Sequence, residues 1–478
     1  MSTQEVGHPT RPNRPSIYSA REWIGREVNP VPPGLLDAPY EEAKCLDAPV
    51  TRYTSRDYAA KERDHVWRKV WQMACRVEDI PEVGDRLPYN VGEDSIMIVR
   101  TAPNEIKAFV NACLHRGRVL CEHAERGTQI RCPFHGFTWS LDGRLKQIPE
   151  WWDFPHGTRD KFSLPEVKVE VYAGFVFINM QENPPPLSDY LEVLPEHLKT
   201  WRYGDRVKVA HVSKRLRCNW KLAMEAFTEP LHVIFSHPQM AGYAGDYEMS
   251  HWGRHISRLF NVIGLPHPLL KGALDEDGVF QDIKRDFPLD DLPESLPAGA
   301  TARGLLAEKA RKQVQREWGW DMSSVTDTEL IDGIGYFVFP NTIFWPSFFL
   351  PIVHRWRPYG DNPAECVMDT MVIIGRPEGT ERPVRIEPTE LGFDQSFAEA
   401  SEFGDTGRIL DQDVSNIESC QRGLGITRSK TVILSRYLES INRRIHDTLD
   451  HYVGDDDREA PRTGGGAPAP SPDIDAYT

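Results

Sequence analysis

Cysteine is scarce in this chain, with 8 in 478 residues. That is too few for a disulfide scaffold, and in a reducing compartment clustered Cys and His read as metal ligands rather than crosslinks. Long apolar runs are missing as well. None approaches the ~20 residues that a membrane-spanning helix needs, so no membrane partner is expected. The opening segment MSTQEVGHPTRPNRP lacks the apolar core of a signal peptide, which leads us to expect a cytoplasmic protein. Positive charge is in deficit: 56 Lys and Arg stand against 71 Asp and Glu, a net of −15. No nucleic-acid partner is expected, because phosphate binding wants a basic surface. A local basic patch for an acidic electron-transfer protein is still allowed. Hydrophobic residues at 40% and charged residues at 27% fit a globular protein with a real core, and the length allows two to four domains.

Residues 1–50 are rich in Pro and polar residues and read as an arm over the surface. From Tyr53 to Gln72 the apolar spacing is helical. Short strands follow: Ser95–Arg100, Lys107–Asn111, a hairpin over Thr138–Leu145 turning at Asp142–Gly143, and a strand pair over Lys168–Asn179. Residues 51–180 thus form an all-β module. Cys218–Ser236 is a helix candidate with Asn219 as N-cap. Pro230 should kink or split it, and His237–Pro238 should end it. Residues 238–300 are rich in Pro, Gly and Asp and read as long loops. Thr301–Trp318 is a charged amphipathic helix. Gly335–Arg357 and Glu365–Gly375 read as buried strands, and Leu410–Val453 as helical. The Gly/Pro-rich tail, 454–478, is expected to be disordered. The fold class is therefore α+β, an all-β N-terminal domain ahead of a larger α+β domain over 181–453.

Two constellations carry chemistry. The first is Cys113-Leu114-His115-Arg116-Gly117 with Cys132-Pro133-Phe134-His135-Gly136, a C-x-H…C-x2-H pattern. Two short loops, each offering a thiolate and an imidazole, suit a Rieske [2Fe–2S] cluster. Cys113 and Cys132 would hold one iron, and His115 and His135 the other. A Cys2His2 zinc site is the alternative, but zinc fingers pair like with like. The second constellation is NWKLAMEAFTEPLHVIFSH, residues 219–237. Glu225, Glu229 and His232 fall on one face if the helix continues. His237 lies about 140° round an ideal helix and converges with His232 only where the helix distorts or ends. Two His and one carboxylate with open positions form the facial triad of non-haem Fe(II) oxygen chemistry.

CLHRG…CPFHGFTWSLDG resembles the Rieske domain of ring-hydroxylating oxygenases. In respiratory Rieske proteins the loops carry two further cysteines in a disulfide. Arg118 stands where the first of these would be, and Cys121 is out of register. The 219–237 segment is similar to the N-W-K…E-x3-[D/E]-x2-H-x4-H motif of the same family's catalytic (alpha) subunits, apart from Ala226 and Leu231, where Asn and Tyr are frequent.

The resemblance covers about 50–180 and 205–450. It implies a helix-grip catalytic domain, an antiparallel sheet with helices, holding a mononuclear Fe(2+) on His232 and His237. Glu229 would be the acid linking a cluster histidine of one subunit to an iron histidine of its neighbour. Glu at that position is seen notably in members acting on quaternary ammonium compounds. The third ligand would lie in Asp411-Gln412-Asp413…Gln421-Arg422-Gly423-Leu424, on Asp413, with Asp411 as the alternative and Glu418 on another face.

The function so implied is a terminal oxygenase that hydroxylates an aromatic or other hydrophobic small molecule with O2, a dioxygenase of aromatic catabolism. The alternative is a monooxygenase or demethylase acting on an N- or O-methyl or quaternary ammonium compound. A non-enzymatic electron carrier is a third reading. No strand–GxGxxG–helix fingerprint or plant-type ferredoxin cysteine run is present, so the reductase, with or without a ferredoxin, must be another polypeptide. A head-to-tail homotrimer is implied, possibly with a small β-subunit. The lone histidines His211, His251, His255, His267 and His354 have no spacing partner and read as structural or pocket-lining. The aromatic run Tyr336–Phe349 reads equally as cavity wall or sheet core.

Overall fold

The computed structural model describes residues 20–155, 159–270, 274–287, 289–377, 379–380, 385–404 and 406–454. The first 19 residues of the expected arm and the tail from residue 455 lie outside the described residues. Among those described, no helix is long and apolar enough to cross a membrane.

The N-terminal half holds a seven-stranded antiparallel sheet. Its order is Gln72–Arg76, Phe175–Asn179, Glu166–Tyr172, Glu105–Val110, Asp94–Ala102, Asp85–Val91, Glu125–Arg126. A three-stranded sheet of Ile130–Arg131, Thr138–Trp139 and Leu145–Gln147 stands apart from it. A small core that includes Met97, Phe109, Phe137, Trp139 and Leu164 lies beneath it. The expected helix ends before Gln72. It runs over Thr51–Thr54 and Arg56–Glu62 and closes in a π-helical turn at Arg63–Trp67; Gln72 already belongs to a strand.

The C-terminal half is built on an eight-stranded sheet. Its order is Ala244–Trp252, Ile256–Ile263, Gly333–Val338, Thr342–Trp345, Ile352–Pro358, Cys366–Gly375, Arg206–Leu216, Thr389–Leu391, all antiparallel except the last pair. Helices Trp220–Glu225 and Ser440–Val453 pack on it. The class is α+β, as expected. Residues 238–300 are not all loop. They contain the paired strands Ala244–Trp252 and Ile256–Ile263 and the helix Glu276–Asp286. The window's Pro, Gly and Asp content hid them, although 244–263 has no proline and Gly253 marks the turn. Helical structure over 410–453 is also interrupted. Thr406–Ile426 and Ser440–Val453 flank a strand, Thr431–Ile433, whose β-branched residues pair with Asp47–Pro49.

Residues 20–50 are anchored on the large sheet. Arg258 Nη1 donates to Gly34 O and its Nη2 to Asp37 O, at 2.7 and 2.8 Å. One continuous apolar core runs through both large sheets. At the junction, Lys208 Nζ meets Asp79 Oδ1 at 2.5 Å, and Arg355 Nη1 donates to Met73 O at 3.0 Å.

Candidate metal centres

The two cluster loops share one backbone design. Cys113 N donates to Arg118 O at 2.8 Å and Gly117 N to Cys113 O at 2.9 Å. In the second loop Cys132 N donates to Phe137 O at 2.8 Å and Gly136 N to Cys132 O at 3.1 Å. Each loop closes through a glycine of positive φ, 73° at Gly117 and 74° at Gly136, a conformation that costs other residues about 1–2 kcal/mol. The closed loops face each other. Cys113 and Cys132 are buried, and the His115 and His135 rings stand 4.5 Å apart at 69°. His115 stacks on Phe137 at 5.0 Å. Burial first, and then the neighbouring Cys132 thiol, raise the Cys113 pKa.

The four residues fit a cluster. His115 Nδ1 is buried with no hydrogen-bond partner among the described residues, which a ligand nitrogen needs and a structural histidine avoids. No three of the four donors lie within 4.8 Å of one another. One tetrahedral zinc would draw its ligand atoms to within about 4 Å, so the geometry favours two irons over one zinc. Cys121 is a free thiol, as are all 8 cysteines.

The 219–237 segment splits where Pro230 predicts. Asn219 caps the helix Trp220–Glu225, its side chain accepting from Lys221 N at 3.1 Å, and a short second helix follows at Val233–Ser236. His237 leaves helical geometry with φ −124°, which lets its ring meet His232 at 5.4 Å. His232, His237 and Asp413 are the only group of three or more His, Cys, Asp or Glu among the described residues whose donor atoms all lie within 4.8 Å. Asp413 Oδ1 is 2.8 Å from His237 Nε2 and 3.5 Å from His232 Nε2.

The other ring nitrogens are occupied by acceptors. Glu229 Oε1 lies 2.7 Å from His232 Nδ1. Gln412 Oε1 lies 2.8 Å from His237 Nδ1 and also accepts from Gln239 Nε2 at 3.0 Å. Both acceptors hold the proton on Nδ1 and leave both Nε2 lone pairs for a metal. Burial opposes charging His232, but the Glu229 hydrogen bond and charge outweigh it and raise its pKa.

The alternatives around Asp413 are used elsewhere. Asp411 accepts from Ser396 Oγ, Phe397 N and Ala398 N at 2.7–3.1 Å. Glu418 accepts from Arg217 N at 2.9 Å. Glu225 does not join Glu229 and His232 on one face. The helix ends at Glu225, which turns into a buried contact with Tyr53 and His446.

Gln412 was legible only as a neighbour of Asp413, and nothing in the spacing flags Tyr53 or His446. The lone histidines have protein partners: His211 meets Asp369 and Lys208, His251 meets Ser257 and Ser440, and His354 meets Thr370. Tyr336, Phe337 and Phe344 lie in the sheet core. A cavity of about 370 Å3 lies away from both centres, at the sheet junction beside Lys208, His211, Arg355 and Asp369. There Lys208 pairs with Asp79, and His211 and Arg355 pair with Asp369.

The Rieske [2Fe-2S] domain profile matches residues 70–155, and the profile of the ring hydroxylating alpha subunit (catalytic domain) matches 198–455. These two domains carry a Rieske cluster and a mononuclear iron. The glycine betaine monooxygenase oxygenase subunit of Pseudomonas aeruginosa is 26% identical over 219 residues, 45% of this chain and 51% of that protein. The chain therefore spans about half the length of that relative. The biphenyl 2,3-dioxygenase subunit alpha of Rhodococcus jostii is 25% identical over 358 residues, 70% of each chain. A quaternary ammonium Rieske monooxygenase in complex with L-carnitine has the same fold, with TM-score 0.59, 20% identity, and 85% of this chain and 95% of that one covered.

Proposed function

Because the chain belongs to the ring hydroxylating alpha subunit family, whose catalytic profile spans more than half of its residues, we propose that it is the terminal oxygenase component of a Rieske oxygenase system. The observation that carries this reading is the presence in one chain of two separate donor sets: the C-x-H and C-x2-H loops, and the converging His232, His237 and Asp413. When bound, the cluster would supply single electrons and the ferrous ion would activate O2. The chain's own residues do the rest. Cys113, His115, Cys132 and His135 hold the cluster. Glu229 and Gln412 fix the tautomers of His232 and His237, and Asp413 completes a face that leaves positions open for oxygen and substrate.

The electrons come from a separate reductase, with or without a ferredoxin. We place the route between centres across a subunit boundary in a head-to-tail trimer. Exposed apolar side chains flank both ends of such a contact: Phe134 at 59% and Trp152 at 79% beside the cluster loops, Leu231 at 39% and Phe235 at 74% beside the iron histidines. Glu229 stands at the partly exposed edge of the iron site, in contact with His232, where a neighbour's cluster histidine can reach it.

The substrate class we favour is an N-methyl or quaternary ammonium compound, supported by Glu229 at the linking position and by the glycine betaine relative. Hydroxylating an N-methyl group gives a carbinolamine that releases formaldehyde. The aromatic reading is supported by the longer match to the biphenyl enzyme. Aerobic turnover with a surrogate reductase separates them: formaldehyde release marks the first, and incorporation of both 18O atoms into a ring diol marks the second. The function itself is tested by reconstituting the protein anaerobically. It should hold three irons per chain, show a Rieske-type reduced-state EPR signal, and lose turnover when His232 and His237 are both changed to Ala. Absence of the EPR signal, or turnover surviving that double change, refutes it.

A further inference from the structure

The stretch carrying Glu229 and His232 is not held by a helical ladder. Regular helix stops at Glu225 and resumes at Val233, and Pro230 between them has no N–H to donate. Isolated backbone bonds, Thr228 N to Glu225 O at 3.3 Å and Val233 N to Pro230 O at 3.2 Å, and the Glu229 carboxylate accepting from Leu231 N and His232 N close the turn itself, and side chains around it set where the closed turn sits.

Those side chains come from segments far apart in the chain. Tyr53 Oη donates to the Glu225 carboxylate at 3.1 and 3.0 Å. His446 Nε2 lies 3.0 Å from Glu225 Oε1. Arg52 Nη1 lies 2.9 Å from His446 Nδ1. A guanidinium only donates, so Nδ1 is the acceptor and the ring proton sits on Nε2, facing Glu225. One turn before His446, Asn442 Nδ2 donates to Glu225 O at 3.3 Å, and Thr228 Oγ1 donates to Asn442 Oδ1 at 2.5 Å. Tyr53, Thr228, Asn442 and His446 are all at most 2% exposed. At the other end of the same short helix, Lys221 Nζ meets Glu62 Oε1 at 2.6 Å.

We infer that Tyr53, His446 and Asn442 are positioning residues of the mononuclear iron site: through Glu225 and Thr228 they fix the turn that presents Glu229 and His232. Stability is a weak reason for such a network, because apolar side chains of the same volume usually stabilise a core as well or better than buried ionic groups. What the network adds is a defined location for a backbone turn that has no regular structure of its own. This inference rests on the function proposed above.

The test uses the full-length chain, reconstituted anaerobically, with Tyr53→Phe, His446→Leu, His446→Gln and Asn442→Leu. The readouts are Fe(II) affinity by chelator competition, cluster iron and reduced-state EPR, and thermal midpoint. We expect Tyr53→Phe, His446→Leu and Asn442→Leu to keep the cluster signal while Fe(II) affinity falls about tenfold or more, as for partners that orient metal ligands. His446→Gln retains an N–H donor toward Glu225 and should recover most of that affinity. Lower thermal midpoints with Fe(II) affinity unchanged in the folded protein would overturn the inference and leave the network purely structural. If the His446 and Asn442 variants fail to fold, Tyr53→Phe, which removes one oxygen atom, decides alone. Wild-type protein that takes up no iron beyond its cluster would instead overturn the proposed function, and this inference with it.

Discussion

The proposed cluster loops carry all four candidate donors between residues 113 and 135, whereas the proposed mononuclear site would draw its donors from 232, 237 and 413 and its supports from 53, 412, 442 and 446. In the first, each loop is closed by its own backbone hydrogen bonds, so the site is nearly finished once two short segments fold. In the second, no segment is complete without the others. The two sites are therefore vulnerable in different places: the cluster to changes within its own loops, the iron site to changes hundreds of residues away.

Destroying one site should leave the other undamaged. Cys132→Ser should abolish the Rieske EPR signal and reduce turnover to background, yet leave the Fe(II) site intact, because the two donor sets share no residue. His237→Ala should do the reverse. If either variant loses both kinds of iron while still folded, the two sites are not independent. Next in size is the contrast between two acids two residues apart, on opposite sides of the helix at about 200°. Asp413→Asn should lose most of the mononuclear iron. Asp411→Asn should keep it and cost only about 1 kcal/mol in chemical denaturation, the usual worth of a cap, since Asp411 serves the 396–398 turn. Gln412→Ala, which frees the His237 tautomer, should weaken Fe(II) binding about 10–100-fold and leave the cluster's spectrum unchanged.

The same contrast explains what could be read in advance. The cluster pattern was legible because its donors, its glycines and its flanking strands all lie within one short window. The split at Pro230 and the cap at Asn219 were legible because both are local backbone chemistry. Asp413 came from a resemblance, not from spacing, since nothing in the late helix distinguishes it from Asp411 until the fold places one beside His237 and the other beside Ser396. An unbroken helix would put Glu225 on the face of Glu229 and His232; the break at Glu225 turns it toward Tyr53 and His446 instead. The strands Ala244–Trp252 and Ile256–Ile263 are buried at every residue; Asp246-Tyr247-Glu248-Met249-Ser250 alternates as a strand does, but the Pro, Gly and Asp of the surrounding window mask it.

A smaller effect tests the claim that the cluster loops are locally closed. Gly136→Ala must place a side chain at φ 74°, and its Cβ would meet Pro149 Cγ at 3.2 Å. We expect a loss of about 1–2 kcal/mol, visible as faster cluster loss on dilution, with Fe(II) affinity unchanged. An alanine variant that keeps its cluster as long as the wild type would mean that the loop is held from outside.

The smallest effect over ordinary working pH comes from the junction both regions ride on. Burial pushes the carboxyls of Asp79 and Asp369 upward, but Lys208 beside the first and Arg355 and Arg357 beside the second more than reverse it, so both titrate below the usual range. Their folded pKa values lie below the unfolded ones, so the unfolded chain binds more protons as pH falls. Their contribution is complete above the unfolded value of about 3.9 and is lost as pH drops from there through the folded values. Thermal midpoints attributable to these pairs should therefore be flat between about pH 5 and 7 and fall only below about pH 4. Because Lys208–Asp79 and Arg355–Asp369 stand where one sheet meets the other, acid below about pH 4 should lower the unfolding midpoints of the two sheets together, with the metal-free protein as the sample because imidazole ligands protonate and release metal at higher pH.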